Sequence, residues 1–350
     1  MKEQNRNPRS WKKKLTGKQK ALVALCCVLA VILVLLIVGT AYMESMLGLI
    51  NRDSNDGTLS SEELAALQQE WENEDGDSTD PALDPNSVNW AGNASLLENS
   101  DDVINIMLIG QDRRPGEGRQ RSDAMILCTI NTKAKTLTMT SFMRDMYVQI
   151  PGYWDDRINA CYAYGGMELL DECLAHNFGV QVDGNVEVDF SGFERVIDLI
   201  GGVDIELTGA EAGHLNANCG YSLSSGMNHL NGSQALAYSR IRYIGNGDFG
   251  RTNRQRTVLT ALVEQCKKMS LSQLNNLVKE VLPMVTTDMT NAEILDYLIK
   301  FFPMLGDMEI VNQRIPADGA YTSNSIRGMS VLVPDLEANR KVLKDSIGVQ

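Results

Sequence analysis

The sequence predicts an α/β fold, a sheet with helices on its faces, that follows a single membrane-spanning helix. Three observations lead to this prediction. Residues 21–42 form one uncharged apolar run, and three β-rich runs follow one another closely between residues 103 and 142. Beyond residue 142, helix-like and strand-like segments alternate along the chain. Such alternation is typical of a sheet that is covered by helices.

The apolar run over residues 21–42 is long enough to cross a bilayer. It holds no charged residue, and at 1.5 Å per helical residue it extends about 33 Å, the thickness of a hydrocarbon core. The run continues into Met43 and Glu44 without the small-residue cleavage site that follows a secretory signal. We therefore predict a retained transmembrane helix over residues 21–42.

The flanking charges predict the orientation of this helix. Residues 1–20 carry a net charge of +7, and positively charged flanks stay in the cytoplasm. The sequence thus predicts a single-pass protein of the cell membrane, with a basic cytoplasmic tail over residues 1–20 and a domain outside. The total charge of −13 leaves −20 on the rest of the chain. That acidity excludes a nucleic-acid partner, which requires a basic surface.

Residues 43–101 are rich in Asp, Glu, Ser and Asn, which predicts an acidic linker outside the membrane. The segment from Arg52 to Glu63 resembles a calcium-binding loop, but Arg52 stands where the first carboxylate ligand belongs. A solvated linker is the better interpretation. Residues 102–350 then form one folded domain, because no boundary rich in Pro or Gly divides them.

The cysteines outside the predicted span are odd in number and scattered. Their spacing fits neither a zinc site nor a dense disulfide framework. One or two disulfides and buried apolar thiols both remain open. The five residues are Cys128, Cys161, Cys173, Cys219 and Cys266.

Each element of the folded domain has its own local signal. Alternating apolar and β-branched residues predict strands at 103–110, 124–130, 136–142, 185–190, 203–207, 308–315 and 328–334. Apolar residues at helical spacing predict helices at 159–178, 191–200, 235–239, 248–269, 292–302 and 336–347. Asn231 is placed to cap the third of these helices. We expect the later elements to complete the same sheet as the earlier ones.

Arginine is concentrated in two regions where lysine is scarce. The planar guanidinium matches two phosphate oxygens at once, so arginine without lysine favours a fixed phosphate geometry. Arg251 and Gln255 are four residues apart and share one helix face. For any single arginine, pairing with one of the many carboxylates is the commoner explanation. The two regions hold Arg113, Arg114, Arg119, Arg121, Arg144 and Arg157, and then Arg240, Arg242, Arg251, Arg254 and Arg256.

Two aspartates flank the charged loop between the first two strands. Asp112 and Asp123, together with phosphate oxygens, form the kind of ligand set that holds Mg²⁺. Either residue alone would be an ordinary turn residue. The histidines lack ligand spacing, and neither a phosphate-binding P-loop nor a G-x-S-x-G motif is present.

The order of motifs resembles the LytR-CpsA-Psr family of bacterial cell-envelope proteins. The resemblance runs from about residue 101 to the C-terminus and is strongest up to Met269. It is carried by INIMLIGQD, RSDAM, SFMRD, RINACYAYGG, VDFSGFERVIDLIGGVDIEL, GMNHLNGSQALAYSRIRY and DFGRTNRQ, in this order. The resemblance implies an α/β/α sandwich with a central mixed sheet and a lipid-binding cavity. It also implies transfer of a glycopolymer, such as a teichoic acid or capsular polysaccharide, from a polyprenyl pyrophosphate carrier to peptidoglycan.

The same resemblance implies roles for individual residues. It places Mg²⁺, with Mn²⁺ as an alternative, on Asp112 and Asp123, and it implies catalytic roles for these two and for Arg144, Arg240 and Arg242. Asp248 matches an acidic position near the head group. The chain departs from the family in SFMRD, where SIPRD is common, in Ala124 and in Arg256. The residues matched to pyrophosphate contacts are Arg121, Arg144, Arg240, Arg242, Arg251 and Gln255.

We therefore predict a phosphotransferase in which a wall hydroxyl attacks the glycan-side phosphorus and polyprenyl phosphate leaves. Two alternatives stay open. One is a pyrophosphatase that uses water on the same lipid, and the other is a non-catalytic envelope regulator or lipid-phosphate sensor. The acceptor sugar, the polymer and the general base are not predicted.

Overall fold

The structure is a computed structural model that describes residues 42–53, 62, 65, 79–98, 100–111 and 119–347. The chain divides into two compact units, Met1–Gly48 and Leu49–Gln350. In the first unit, the described residues are helical over 42–47. Within the described ranges, no helix is both long and apolar enough to span a bilayer. Residues 21–41 of the predicted transmembrane helix lie outside those ranges.

The second unit contains thirteen strands and eight α-helices among its described residues. The strands are β1 Asn51–Arg52, β2 Val103–Gln111, β3 Ala124–Asn131, β4 Thr136–Phe142, β5 Tyr147–Val148, β6 Asp156–Arg157, β7 Gly184–Asp189, β8 Val203–Leu207, β9 Gly226–Leu230, β10 Val285–Thr287, β11 Glu309–Ile315, β12 Tyr321–Ile326 and β13 Met329–Pro334. The helices are α1 Asn159–Phe178, α2 Phe190–Leu199, α3 Gly209–Cys219, α4 Gly232–Ser239, α5 Asp248–Lys267, α6 Leu271–Val281, α7 Asn291–Phe301 and α8 Leu336–Ile347.

Seven strands form a mixed central sheet in the order β1-β10-β7-β2-β3-β4-β11. The strands β2, β3 and β4 are antiparallel neighbours. By contrast, β2 pairs with β7 in parallel, and so does β4 with β11. The predicted central mixed sheet with flanking helices is thereby confirmed.

Successive side chains of β3 point to opposite faces of the sheet, and each face has its own apolar cluster. Met125 and Leu127 point to the face covered by α1 and α8. Ile126 and Cys128 point to the face covered by α5 and α7. Both faces are buried, which explains why the strand reads as a nearly continuous apolar run.

A third apolar cluster lies beside the sheet and is formed by residues from the middle of the chain. The hairpin of β8 and β9 packs with α2, α3, α4 and α5 around Ile205, Leu215 and Leu230. The Asn231 side chain caps α4 as predicted, and Gln234 completes a capping box. This cluster fixes α4 and α5, the two helices that flank the candidate site.

The expectation that the later strands complete one sheet is only partly correct. Strand β11 joins the central sheet, whereas β8 pairs with β9 and β13 pairs with β12 in separate hairpins. The reason is local: β12 and β13 are joined by a tight turn through Arg327 and Gly328, both with positive φ, so they pair with each other.

Several residues of the predicted linker over residues 43–101 belong to the second unit and pack within it. Strand β1 pairs with β10 at one end of the central sheet. Trp90 stacks on Tyr147 with ring centroids 5.9 Å apart, and Leu97 packs against the α1 core. The acidic composition of this segment predicted a solvated linker, but a few of its apolar residues pack individually against the folded domain.

The described cysteines carry no disulfide. Cys128, Cys161 and Cys173 are buried, Cys266 is partly buried and Cys219 is exposed. Burial raises the pKa of the Cys128 thiol to about 12, which keeps it protonated. Of the two alternatives left open by the sequence, the structure contains the free thiols.

Candidate active site

The site lies at the sheet edge where β3 begins and β4 ends. These strands are antiparallel, with Ile126 opposite Ser141, so the start of one adjoins the end of the other. Asp123 directly precedes β3, and Arg144 follows β4 by two residues. Topology therefore brings together two side chains from separate sequence motifs.

Arg144 lies at the centre of a network of carboxylates. Its Nη1 donates to Asp123 Oδ1 at 3.0 Å. Its Nε lies 3.4 Å from Asp145 Oδ1 and 3.3 Å from Asp248 Oδ2. Arg157 Nη1 approaches Asp145 Oδ1 to 3.6 Å from the other side. Asp145 is a member of the network that our sequence reasoning missed, although it stands in the SFMRD motif.

The second arginine region reaches the same carboxylates from α5 and the segment before it. Arg251 Nη2 donates to Asp248 Oδ2 at 2.7 Å, one turn apart on α5. Arg242 Nε lies 3.7 Å from Asp248 Oδ1, and its Nη2 lies 3.8 Å from Asp123 Oδ1. Arg144, Arg242 and Arg251 thus alternate with Asp123, Asp145 and Asp248, and we call these six residues the Arg–Asp network.

Burial and charge set the protonation of this network. Burial lowers the pKa of Arg251 to about 10, and the charge of Arg144 adds to this effect. Burial also acts to lower the pKa of Arg144, but Asp145, Asp248 and Asp123 outweigh it and raise the value. Burial raises the pKa of Asp145. Arg144 and Arg251 are therefore cationic at neutral pH, and burying the charge of Arg251, whose side chain is 3% exposed, costs free energy.

An anion bound in this network would offset the free-energy cost of burying the Arg251 charge. Arg251 Nε is buried and has no hydrogen-bond partner in the described chain. Arg242 is 43% exposed and meets its carboxylates only at 3.7 Å and 3.8 Å. One donor is thus unused and the others are used only at long distance, and charge-assisted hydrogen bonds from guanidinium groups to phosphate are strong. The network is therefore suited to a phosphate group.

An apolar cavity of about 110 Å³ adjoins the network. Its wall includes Ala124, which follows Asp123 in the chain, and Gln255, one helical turn after Arg251. Val186, Phe193 and other apolar side chains of the sheet, α2, α4 and α5 complete it. The site thus combines a charged entrance with an apolar interior.

Arg240 lies against the wall of the cavity. It is the C-terminal cap residue of α4, and its guanidinium lies over the Phe190 ring, 4.6 Å from the centroid. Phe190 is part of the cavity wall. Arg121 precedes Asp123 by two residues and acts electrostatically on Tyr164 of α1. Asp112 lies outside the described residues.

Arg254 has a structural role. Its Nε donates to Glu211 Oε1 at 2.7 Å, and both side chains are less than 10% exposed. Its Nη1 and Nη2 donate to the carbonyl oxygens of Ile241 and Ile244 at 3.1 Å and 3.0 Å. Arg254 therefore fixes the segment that carries Arg242, and sequence proximity alone could not separate it from the ligand-facing arginines.

The carboxylates present fit a magnesium ion only in part. Mg²⁺ binds through one or two carboxylates together with substrate phosphates. Asp123 is 32% exposed and is an oxygen donor of the required kind. Within the described ranges no three His, Cys, Asp or Glu side chains are grouped for a metal. A site on this chain therefore needs phosphate oxygens to complete it.

Comparisons with known proteins identify relatives of this chain and match its fold. A model of the LytR_cpsA_psr family matches residues 60–346. The regulatory protein MsrR of Staphylococcus aureus is 31% identical over 250 residues, which are 70% of this chain and 75% of MsrR. The polyisoprenyl-teichoic acid–peptidoglycan teichoic acid transferase TagU of Bacillus licheniformis is 35% identical over 198 residues, 56% of this chain and 63% of TagU. The Bacillus subtilis protein YwtF (TagT), solved with bound octaprenyl pyrophosphate lipid, superposes with a TM-score of 0.57. That structure shares 25% identity over 75% of this chain and 100% of its own.

Proposed function

The chain belongs to the LytR-CpsA-Psr family, and on this premise we propose that it transfers a glycopolymer from a polyprenyl pyrophosphate carrier to peptidoglycan. The observation that carries the proposal is the Arg–Asp network beside an apolar cavity. A lipid-linked pyrophosphate has the matching composition: two phosphates next to a hydrocarbon chain. The transferase name of TagU and the lipid in the TagT structure support this substrate class.

The pyrophosphate replaces carboxylates as the partner of the arginines. In the described structure, Arg144, Arg242 and Arg251 are held by Asp123 and Asp248. Phosphate oxygens that enter between them take over these donors, and the carboxylates keep the guanidinium groups oriented beforehand. Donors that are already oriented toward developing charge contribute more to the transition state than donors that must reorganise.

The reaction is a phosphoryl transfer. A peptidoglycan hydroxyl attacks the glycan-side phosphorus, a new P–O bond forms, the P–O bond to the carrier phosphate breaks, and polyprenyl phosphate leaves. The hydroxyl proton passes to a base that remains unassigned. Arg144 and Arg242 stabilise charge on the transferred and leaving phosphates, and Arg251 does so from the buried side. Most of the catalysis comes from positioning and charge stabilisation of this kind.

The cavity takes the hydrocarbon end of the substrate. Pockets that enclose a whole drug-sized ligand have volumes of about 300–1,000 Å³. At about 110 Å³, this cavity holds only the part of the carrier nearest the pyrophosphate. Arg240 over Phe190 stands at the junction, where it meets the charged end of the lipid from the apolar side.

Magnesium belongs to the same proposal. Asp123, with Asp112, would hold Mg²⁺ or Mn²⁺ against the phosphate oxygens, and the ion would neutralise charge on the transferred phosphate. Asp123 becomes available for this role when Arg144 turns to the phosphate. Removal of divalent ions with a chelator should stop transfer, and Asp123→Asn should raise the Mg²⁺ concentration needed to restore it. An unchanged requirement in Asp123→Asn would contradict this assignment.

The membrane and wall complete the proposal. A carrier lipid cannot leave the bilayer, so an anchor over residues 21–42 would keep the site beside its substrate. The positive charge of residues 1–20 places the N-terminus in the cytoplasm and the domain outside. Labelling of an added cysteine at residue 5 and at residue 225, each in a Cys219→Ser background that removes the exposed native thiol, would test this in intact cells and in lysed cells. Labelling of residue 5 in intact cells would overturn the orientation.

Product analysis tests the proposed reaction. Full-length protein is incubated with a synthetic polyprenyl pyrophosphate glycan, peptidoglycan and Mg²⁺. Transfer releases polyprenyl phosphate and attaches the glycan to peptidoglycan, whereas a pyrophosphatase releases free glycan phosphate. The name of MsrR favours a regulatory protein as a second candidate. Binding of the lipid without either product would support that alternative.

A further inference from the structure

Arg256 is a buried cation for which the described residues supply no carboxylate partner. It lies on α5, and only 6% of the residue is exposed. Within the described chain, its Nε and Nη1 have no hydrogen-bond partner. Among the described residues its one hydrogen bond runs from Nη2 to Asn253 Oδ1 at 3.5 Å, the limit for such a contact. Buried guanidinium groups are normally paired, so this residue requires an explanation.

The neighbours of Arg256 are also polar and also under-used. Ser141 on β4 stands opposite Arg314 on the parallel strand β11, so the two side chains lie on one sheet face. Ser141 Oγ and Arg314 Nε are buried without a hydrogen-bond partner among the described residues. Phe249, near the start of α5, stacks on the Arg314 guanidinium at 4.5 Å.

Helix α5 crosses this part of the sheet in a fixed register. Thr260 on α5 accepts a hydrogen bond from Asn312 of β11 at 3.3 Å. Arg256 lies one helical turn before Thr260 on α5, and Arg314 lies two residues after Asn312 on β11. Each of these steps corresponds to about 5–7 Å along its element. The two arginines therefore face each other, and Ser141 lies on the adjoining strand.

The charges in this place do not balance. Arg314 pairs through Nη2 with Asp318, a residue with a 90% exposed side chain. Arg256 has no such partner in the part of the chain that the structure describes, and burial together with the charge of Arg314 lowers its pKa to about 10. It still carries its charge at neutral pH. The site therefore contains two guanidinium charges and one carboxylate charge, that of the exposed Asp318. Its net charge is positive, and an anion would neutralise it.

We propose that Arg256, Arg314 and Ser141 form a second anion site, separate from the Arg–Asp network, that binds a phosphate group. Two guanidinium forks and a hydroxyl are suited to a tetrahedral oxyanion with several acceptor oxygens. Arg256 follows Arg251 by five residues, about 7.5 Å along α5 and roughly 140° around it. The two sites thus lie on different sides of one helix, close enough for neighbouring phosphates of one polymer.

Phosphate binding by the full-length protein in detergent tests this site. Calorimetric titration of the wild type with inorganic phosphate should reveal two binding sites. Arg256→Gln should weaken one of them at least tenfold, and Arg242→Gln should weaken the other. Arg195→Gln, which changes an exposed arginine on α2, is the matched control and should leave both intact. Binding in Arg256→Gln that equals wild type in number and affinity would overturn the proposal.

Thermal unfolding supplies an independent readout. In phosphate-free buffer, Arg256→Gln should be at least as stable as wild type because it removes an unpaired buried charge. Added phosphate should then raise the Tm of wild type more than that of the variant. If Arg256→Gln does not fold, Arg314→Gln, at a 20% exposed side chain, replaces it. Equal phosphate-dependent shifts in wild type and variant would refute the site.

A glycerol phosphate oligomer distinguishes two sources of the phosphate. If the oligomer binds wild type tighter than inorganic phosphate and Arg256→Gln removes this gain, the site takes phosphates of a polymer. If both ligands bind equally and both depend on Arg256, the site takes free phosphate. The measurement involves no turnover, so a failure of the proposed transfer reaction would leave its outcome intact.

Discussion

Arg242 offers the cleanest separation of catalysis from folding in this protein. Its side chain is 43% exposed, and its nitrogens approach Asp123 and Asp248 no closer than 3.7 Å. Ion pairs at such exposure contribute about 0–1 kcal/mol to stability. Asp248 also keeps Arg251 as a partner at 2.7 Å. Arg242→Ala should therefore lower the free energy of unfolding by less than about 1 kcal/mol.

The catalytic effect of the same change should be much larger. Loss of one oriented donor to a developing oxyanion costs about 10²–10³-fold in rate, or about 2.7–4 kcal/mol. The assay is the release of polyprenyl phosphate from a lipid-linked glycan in the presence of peptidoglycan and Mg²⁺. Urea unfolding of the same preparation reports stability. Arg195→Ala, an exposed arginine on α2, should leave both measurements unchanged.

Two outcomes would refute this reasoning. Transfer by Arg242→Ala within about threefold of wild type would mean that the residue does not contact the reacting phosphates. A loss of activity that accompanies a loss of several kcal/mol in stability would mean that Arg242 supports the fold. Arg144→Ala is a weaker test, because it also leaves Asp145 with Arg157 alone as a described ionic partner, at 3.6 Å.

Three further predictions concern stability. Arg254→Ala should cost about 3–5 kcal/mol in urea unfolding, since it leaves Glu211 buried and unpaired; a cost below 1 kcal/mol would contradict its structural role. Gly232→Ala should cost about 1–3 kcal/mol, because its Cβ would lie 2.2 Å from the Glu194 carbonyl oxygen, whereas Gly213→Ala, with open space around it, should not destabilise. Burial raises the pKa of Asp171 from 3.8 to about 7. The stability that its protonated form contributes is therefore full below pH 3.8, falls progressively as pH rises toward 7 and is lost above 7, by up to about 4 kcal/mol relative to Asp171→Asn. Parallel stability curves for wild type and Asp171→Asn between pH 4 and 8 would count against this.

Strong periodicity made the central elements predictable. The runs at 103–110, 124–130 and 136–142 became β2, β3 and β4 with boundaries shifted by at most one residue. Their order in the sheet and the pairing of β11 with β4 depend on contacts between distant segments, which local patterns do not encode. The expectation of one continuous sheet failed for β8 and β13 for this reason.

Two helices escaped prediction although their start signals are present in the sequence. Helix α3 begins with a capping box between Thr208 and Glu211, and α6 begins with one between Ser270 and Gln273. Helix α3 lacks a clear apolar stripe, so periodicity gave little guidance there, whereas the apolar residues of α6 (Leu274, Leu277, Val278 and Val281) recur at helical spacing and were overlooked. A search for S/T-x-x-E/Q spacing would have found them.

The candidate site was predictable in its residue types and only partly in its geometry. The scarcity of lysine near the arginines pointed to phosphate, and the structure brings Arg144, Arg242 and Arg251 together. The separate roles of Arg254 and Arg256 depend on what faces each residue across α5. Glu211 faces Arg254, whereas Arg314 faces Arg256. Sequence position alone treats them as equivalent.

The Arg–Asp network joins parts of the chain that are far apart in sequence. Asp123 and Arg144 come from strands early in the domain, and Arg242, Asp248 and Arg251 follow roughly a hundred residues later. A substrate held by all of them acts as a reversible cross-link that stabilises the folded chain as a whole. Each turnover removes that cross-link. Resistance to a protease should therefore rise and fall with the concentration of lipid substrate, so that the protein persists longer when its substrate is abundant.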